Sequence, residues 1–386
     1  MNFSLSNDKR KFVAFYFVQH IRFVHRTNMP KTILIAPLNW GIGHATRCIP
    51  IIVELEKLGH KIILASDGDA LTLLVNRFPH LESELLPSYH ISYPKKGGMA
   101  FHMLKLLPGI LQAINEENRV VRQIIDSQNI DVIISDNRYG VYHHRAQNIF
   151  LSHQIRIKAP FGSNILAMLH LRYLHRFNEI WVPDSASKTN VSGNLSHNCK
   201  LPKLTRFVGV LSQFSTILSS RKPDDFHLTQ PFVLVFISGP EPQRTIFENM
   251  VLNQIETSVL PVVIVGGKPN LIGLFRDHNY IHYPFLAPEN LSWVIDKAES
   301  IISRAGYSSI MDLVSLKKTA VLIPTPGQTE QEYLASHLSS TGMFYEMYQS
   351  DFNLNEAIKK HKKLRVNSQL TDVDYTEEFK LALNNI

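Results

Sequence analysis

The chain has 386 residues, 44% hydrophobic and 19% charged, which excludes a disordered or low-complexity protein and suits about two domains of ordinary size. Its net charge of +7 favours an anionic partner such as a nucleotide or a phospholipid surface. No Lys/Arg run interleaved with aromatics argues for nucleic acid, and the only cysteines, Cys48 and Cys199, form no CxxC pair, which argues against a disulfide framework and suits a reducing compartment.

No apolar stretch approaches the roughly 20 residues of a membrane span. "KFVAFYFVQHIRFVHR" is apolar and basic but is interrupted by Gln19, His20 and Arg22 and lacks a cleavage site. Residues 1–28 are expected to be an extension outside the fold; the rival reading is a basic amphipathic anchor on a membrane surface. From Lys31 the pattern is strand, glycine turn, helix, strand: "KTILIAPL", then helical spacing in "ATRCIPIIVELEKLG", then "HKIILAS". Helical spacing returns in "ALTLLVNRF" and "AINEENRVVRQIIDSQ". "IDVIISD" is a buried strand, and "EIWVPD" and "LTRFVGV" close this half. A polar stretch follows, and the rhythm restarts at "FVLVFIS". Then come helix "TIFENMVLNQIE", strand "PVVIVGG", short strand "YIHYPF", helix "PENLSWVIDKA", strand "SIISRAG", helix "YSSIMDLVSL", strand "TAVLIPT" and a final short helix, "TEEFKLALNNI". Apolar strands alternating with helices predict an α/β fold of two Rossmann-like parallel-sheet halves. The expected divisions are an amino-terminal domain at 29–212, a linker at 213–230, a carboxyl-terminal domain at 231–370, and a helix at 371–386 that packs back on the first domain.

In "LIAPLNWGIGHATRC" a strand breaks into Gly41 and Gly43, and His44 follows at a helix start. Ligands of open parallel sheets sit beyond the carboxyl ends of the strands. "GIGHAT" with Asp67 downstream approaches the dinucleotide fingerprint, but Thr46 replaces the third small residue and an imidazole intrudes where a pyrophosphate would lie. A structural turn is the second alternative. The third is a general base: a neutral imidazole facing a cleft takes a proton from a hydroxyl near pH 7. Asp136, at the end of another parallel strand, is the alternative base or the group that orients it.

In the second half, Ser303 and Arg304 end a strand, Gly306 opens a turn, and Ser308 lies in the first turn of a helix, whose N-terminus suits a diphosphate. Asp312, a turn further, suits two ribose hydroxyls. Gln328, Glu330, Gln331 and Glu332 form a polar group suited to a polyhydroxylated ligand. Ser238 and Gly239 offer backbone amides at a further strand end, with Arg244 close behind to offset phosphate charge. "YHHR", Tyr142–Arg145, does not converge on a metal, and no metal pair stands out. "KKGGMAFHMLKLLPGILQ", Lys95–Gln112, is apolar and cationic together, the best acceptor-side feature.

"SRAGYSSIMDL" followed by "VLIPTPGQTEQEYLA" resembles, in order and spacing, the donor-site signature of glycosyltransferase family 28. "GIGHATR" is similar to the family's amino-terminal glycine loop, which carries a histidine at the position of His44, and "SGPEP" to its glycine-rich loop. The resemblance covers residues 31–335. It implies a GT-B fold, with two Rossmann-like domains facing a central cleft. It implies backbone recognition of uracil beside Phe285 and Leu286, ribose binding at Asp312 and sugar contact at Gln331. The sequence departs from the family at Asn39 and Trp40, which replace glycines, at Asp312 and Glu332, which replace glutamate and glutamine, and at the single Gly239 of "SGPEP".

The resemblance implies inverting transfer of a sugar, with N-acetylglucosamine as a candidate, from a UDP-sugar to a hydroxyl acceptor in cell-envelope glycan or glycolipid synthesis. The implied donor is a UDP-sugar and no bound cofactor or metal is expected. The implied acceptor is lipid-linked, and the implied place is cytoplasmic, peripheral on the inner face of the membrane. A UDP-sugar epimerase on the same scaffold and a non-catalytic nucleotide-sugar-binding subunit are the alternatives.

Overall fold

The computed structural model describes residues 29–89, 99–156, 163–199, 201–202, 204–239, 241–271, 273–277, 279–372 and 376–386. The expected extension at 1–28 lies outside the described residues, as do Lys95 and Lys96 of the expected acceptor-side segment.

The first half runs β1 (Thr32–Pro37), α1 (Gly43–Lys57), β2 (Lys61–Ser66), α2 (Gly68–Arg77), β3 (Glu82–Leu85), α3 (Met99–Gln128), β4 (Val132–Asp136), β5 (Gln147–Leu151), α4 (Ser163–Leu174), β6 (Glu179–Val182) and β7 (Thr205–Phe207). The strands order β3-β2-β1-β4-β5-β6-β7, and every pairing is parallel. Both faces are covered, which is why β1 reads as a continuous apolar run. Ile33 and Ile35 pack under α1 with Ile49 and Ile52, while Leu34 and Ala36 pack under α3 with Val121 and Ile124. The helix expected at 113–128 extends back to Met99, with Pro108 inside it. Strand β5 was not among the expected elements.

The second half repeats the plan with β8 (Val233–Phe236), α5 (Gln243–Leu252), β9 (Val262–Val265), β10 (Phe275–Asp277), β11 (Tyr280–Tyr283), α6 (Pro288–Lys297), β12 (Ser300–Arg304), α7 (Tyr307–Ser315), β13 (Ala320–Ile323), α8 (Thr329–Ser339) and β14 (Phe344–Glu346). Helices α9 (Leu354–His361), α10 (Ser368–Thr371) and α11 (Thr376–Leu383) complete the chain. The order is β10-β11-β9-β8-β12-β13-β14, parallel except for β10 against β11.

In each sheet the strand order reverses once, between β1 and β4 and between β8 and β12. Such reversals open a crevice beyond the strand carboxyl ends. The two crevices face each other: Gly41, at φ +83°, approaches Gly239, at φ +105°. The expected linker is more than a polar spacer, because Phe214 and Phe226 within it are buried in the carboxyl-terminal core. Ala382 and Leu383 of α11, and Ile386 beyond it, pack in the amino-terminal core, and Lys31 Nζ donates to the Ile386 carbonyl at 2.6 Å. Among the described residues no helix is long and apolar enough to cross a membrane.

Candidate functional site

A cavity of 420 Å³ lies between the two crevices. Its amino-terminal wall holds Gly41, Gly43 and His44, together with an apolar surface from Leu38, Trp40, Ile110, Leu111 and Tyr139. Its carboxyl-terminal wall holds Ser238, Gly239, Gly306, Ser308, Asp312, Gln328, Glu330 and Gln331. Eleven residues expected to serve the site therefore line one cavity. Asp136 stands directly behind His44, fully buried.

His44 Nδ1 lies 2.8 Å from Asp136 Oδ1. Arg47, one helical turn along α1, places Nε 2.5 Å from Asp136 Oδ2 and donates from a terminal nitrogen to Oδ1. Burial alone would raise the Asp136 carboxyl, but the charges of Arg47 and His44 bring it down to about 2. His44 Nδ1 also lies 3.0 Å from Arg47 NH2, but that nitrogen already donates to Asp136 Oδ1, so the shorter contact with the ionised carboxylate assigns the His44 proton to Nδ1 and leaves Nε2 as the acceptor. Burial holds His44 below the usual histidine range, against the opposing pull of Asp136, so the ring is neutral at pH 7. Arg47 NH1 also lies 2.9 Å from His153 Nδ1, and His153 Nε2 lies 2.8 Å from Glu330 Oε1 on α8. The ring of Tyr307 stacks on His153, centroids 3.9 Å apart and planes within 6°.

Across the cavity the first turn of α7 presents its N-terminus. Ser308 Oγ donates to the Gly43 carbonyl at 2.7 Å, and Ser309 Oγ lies 3.3 Å from Ser238 Oγ. Gly43 admits this approach only because it lacks a side chain: a Cβ there would sit 2.9 Å from Ser308 Oγ.

Several expected roles need correction. Arg244 does not line the cavity; its Nε donates to Glu241 at 2.9 Å and its NH1 to the Gly267 carbonyl at 2.9 Å, so a nearer carboxylate takes its charge. Arg304 is fully buried, donates to the Gln243 carbonyl at 2.8 Å and packs over Phe247, which makes it a strand-end brace. Ser303 is likewise buried and bonded to the Arg304 carbonyl. The side chains of Phe285 and Leu286 pack on the amino-terminal and carboxyl-terminal cores, which bears on their side chains and not on the backbone contact that the resemblance implies. Glu332 accepts the Gly327 amide at 2.9 Å and fixes the loop before α8. Asp312 does face the cavity, but its oxygens accept from Ser212 Oγ at 2.6 Å and Gln213 Nε2 at 3.0 Å. Burial, against those two bonds, raises its carboxyl to about 6. Gln331 Oε1 accepts the Thr325 amide at 2.9 Å. Asp67 pairs with the buried Arg138 at 2.8 Å and does not line the cavity. His143 is buried beside His144 and neither is in the cavity wall.

Three participants were missed: Arg47, His153 and Tyr307. Arg47 lies three residues after His44, the spacing that puts two side chains on one helix face. His153 follows the apolar run "NIFL" of β5, a strand-end position like that of His44. Among the described residues no group of three or more His, Cys, Asp or Glu side chains is arranged to hold a metal ion.

A family profile described as "Glycosyltransferase family 28 C-terminal domain" matches residues 253–384. The chain is 26% identical over 259 residues to the UDP-N-acetylglucosamine--N-acetylmuramyl-(pentapeptide) pyrophosphoryl-undecaprenol N-acetylglucosamine transferase of Crocosphaera subtropica, covering 63% of this chain and 66% of that one. It is 23% identical over 362 residues to the protein of the same name in Lactobacillus johnsonii, covering 89% of this chain and 92% of that one. In fold it is similar to the crystal structure of Acinetobacter baumannii MurG, with a TM-score of 0.54, 12% identity, and 92% of this chain and 99% of that one covered.

Proposed function

We propose that this chain, a glycosyltransferase of GT-B fold whose residues 253–384 match the family 28 carboxyl-terminal domain, moves N-acetylglucosamine from a UDP-sugar to a hydroxyl of a lipid-linked acceptor. The observation that carries the reading is His44, with Nδ1 on Asp136, set in a cavity wall opposite the N-terminus of α7. The donor and acceptor follow the printed names of the relatives in Crocosphaera subtropica and Lactobacillus johnsonii.

The diphosphate takes the amide-rich end of α7 and the loop at Gly239, where free N–H groups and the helix dipole favour negative charge. The sugar points toward Gln328 and Gln331. The acceptor enters along the apolar wall of Trp40, Ile110 and Leu111. Its hydroxyl gives its proton to His44 Nε2 as its oxygen bonds the anomeric carbon. The bond from that carbon to the β-phosphate oxygen breaks, and UDP leaves with the electron pair. The anomeric configuration inverts. Asp136 orients the ring and stabilises the imidazolium as it forms. Met168 and Leu171 of α4 are 64% and 42% exposed beside the cavity residue Leu169. They support a peripheral contact with a membrane, and the reading takes that membrane to be anionic and approached from the cytoplasmic side.

An epimerase is not favoured. It needs several carboxylates converging on the sugar, whereas the lining carboxylates are Asp312 and Glu330, each bonded to a neighbouring side chain. A non-catalytic subunit would have no use for the paired His44 and Asp136. The test is UDP release and product formation from UDP-N-acetylglucosamine with an undecaprenyl-diphosphate-linked N-acetylmuramyl-pentapeptide. Acceptor-dependent release supports the reading. Absence of both release and UDP binding overturns it.

A further inference from the structure

We propose that Glu330 and His153 act across the domain boundary to set the proton affinity of His44, so that the base gains its full strength only when the two domains are closed. The inference rests on the glycosyltransferase reading and assigns two positioning residues to it.

The proton positions along the chain of contacts are determined by its chemistry. Arg47 can only donate, so His153 Nδ1, 2.9 Å from Arg47 NH1, must accept. The single proton of neutral His153 is therefore on Nε2, where it is donated to Glu330 Oε1 at 2.8 Å. On its other side Arg47 donates to both oxygens of Asp136; its NH2 is also 3.0 Å from His44 Nδ1, but with that NH2 engaged by Oδ1 the shorter 2.8 Å contact has Asp136 accepting from His44 Nδ1. His153 as a cation would turn an N–H toward the guanidinium and break the series.

Asp136 by itself would make His44 a stronger base. Arg47, bound to both its oxygens, opposes that effect. Glu330 restores it: the set of Asp136, Arg47 and Glu330 has one net negative charge, and without Glu330 it has none. Glu330 belongs to α8 of the carboxyl-terminal domain, while His44, Arg47, Asp136 and His153 belong to the amino-terminal one. The negative charge reaches the base through the domain interface. Tyr307, from α7, stacks on His153 and leaves the His153 side chain 6% exposed, which limits screening at the histidine end of the contact. The other titratable group packed here is Cys48, whose Sγ lies 3.8 Å from Asp136 Oδ2; burial raises its thiol well above the usual range, so it adds no charge. The series therefore comprises His44, Arg47 and Cys48 on α1, Asp136 on β4, His153 after β5, Tyr307 on α7 and Glu330 on α8.

The test is direct titration of the His44 ring by NMR in histidine-labelled full-length protein, with and without saturating UDP. The resonance is identified by its loss in His44→Ala. In Glu330→Gln the His44 pKa is expected to fall by about half a unit or more, the direction set by removal of a nearby negative charge; His153 itself bears on His44 in the lowering direction, so in His153→Phe, which detaches Glu330 from the series, the further effect of Glu330→Gln is expected to shrink. His153→Gln, whose amide can accept from Arg47 and donate to Glu330, is expected to retain the wild-type value. Unchanged thermal midpoints confirm that the variants fold. An identical His44 titration in wild type and Glu330→Gln, or an undiminished effect of Glu330→Gln in His153→Phe, overturns the proposal. Failure of UDP to bind the wild type instead counts against the donor-site reading, and the titration without UDP still decides the role of Glu330 and His153.

Discussion

Ser308 Oγ and the Gly43 carbonyl, 2.7 Å apart, join the helix N-terminus of one domain to the glycine turn of the other. The same contact brings the end of α7 to within one residue of His44 in the opposite wall. The end of α7 and His44, the proposed donor site and base, are thereby held on two sides of one cavity by a bond that needs Gly43 to have no side chain.

Gly43→Ala places a methyl group 2.9 Å from Ser308 Oγ and should force the domains apart there. Overpacking of this kind costs ~1–3 kcal/mol, so the donor KM should rise about five- to 150-fold. Ser308→Gly in the same chain makes room and should recover part of that loss. Steady-state kinetics of the two variants and their combination measures the coupling.

His44→Ala should lower kcat by ~10²–10⁴-fold and leave UDP affinity unchanged, because the donor-side wall does not include it. Single-turnover rates beside calorimetric UDP binding separate the two quantities. An unaltered rate would make His44 a structural residue of the turn.

Asp136→Asn removes the acceptor that fixes the His44 tautomer and leaves the buried Arg47 without its carboxylate. Activity should fall at least about a hundredfold. Stability should fall by ~3–5 kcal/mol, the usual consequence of breaking a buried ion pair on one side. Urea unfolding measures the second effect.

Asp312 gives a pH signature. Its carboxyl is raised from 3.8 to about 6 by burial, so the folded protein holds a proton that the unfolded chain loses first. Its contribution to stability is complete below about pH 4, declines as pH rises, and is lost above about pH 6. Asp312→Asn should flatten the dependence of the thermal midpoint on pH across that window. A parallel pair of curves would count against the raised carboxyl.

The positions of His44 and Asp136 were legible because each follows or closes a short apolar run at the carboxyl end of a central strand, where ligands collect. The fold was legible from the apolar strands: β1, β4, β8 and β12 are buried on both faces, and each carries an apolar run in its sequence, interrupted by serine or charge only at the ends of β4 and β12. Roles that depend on contacts were not legible. Arg244 has the right charge near the right loop, but Glu241, three residues earlier, holds it. Asp312 has the right placement on α7, but Ser212 and Gln213 take its oxygens. The pairing of His153 with Glu330 joins residues 177 apart in sequence, beyond the reach of any spacing rule, and β5, which positions His153, was overlooked. Arg47 was readable in "GHATR" as a partner on the same helix face as His44.

Helix α11 returns from the carboxyl-terminal half to the core of the other domain, where Ala382, Leu383 and Ile386 are buried. Two bodies joined by one strand of chain can twist, slide and splay. With a second attachment, those freedoms collapse toward rotation about a single axis. Any opening that admits a donor must then be a swing, and every return swing brings Glu330 back to the same imidazole.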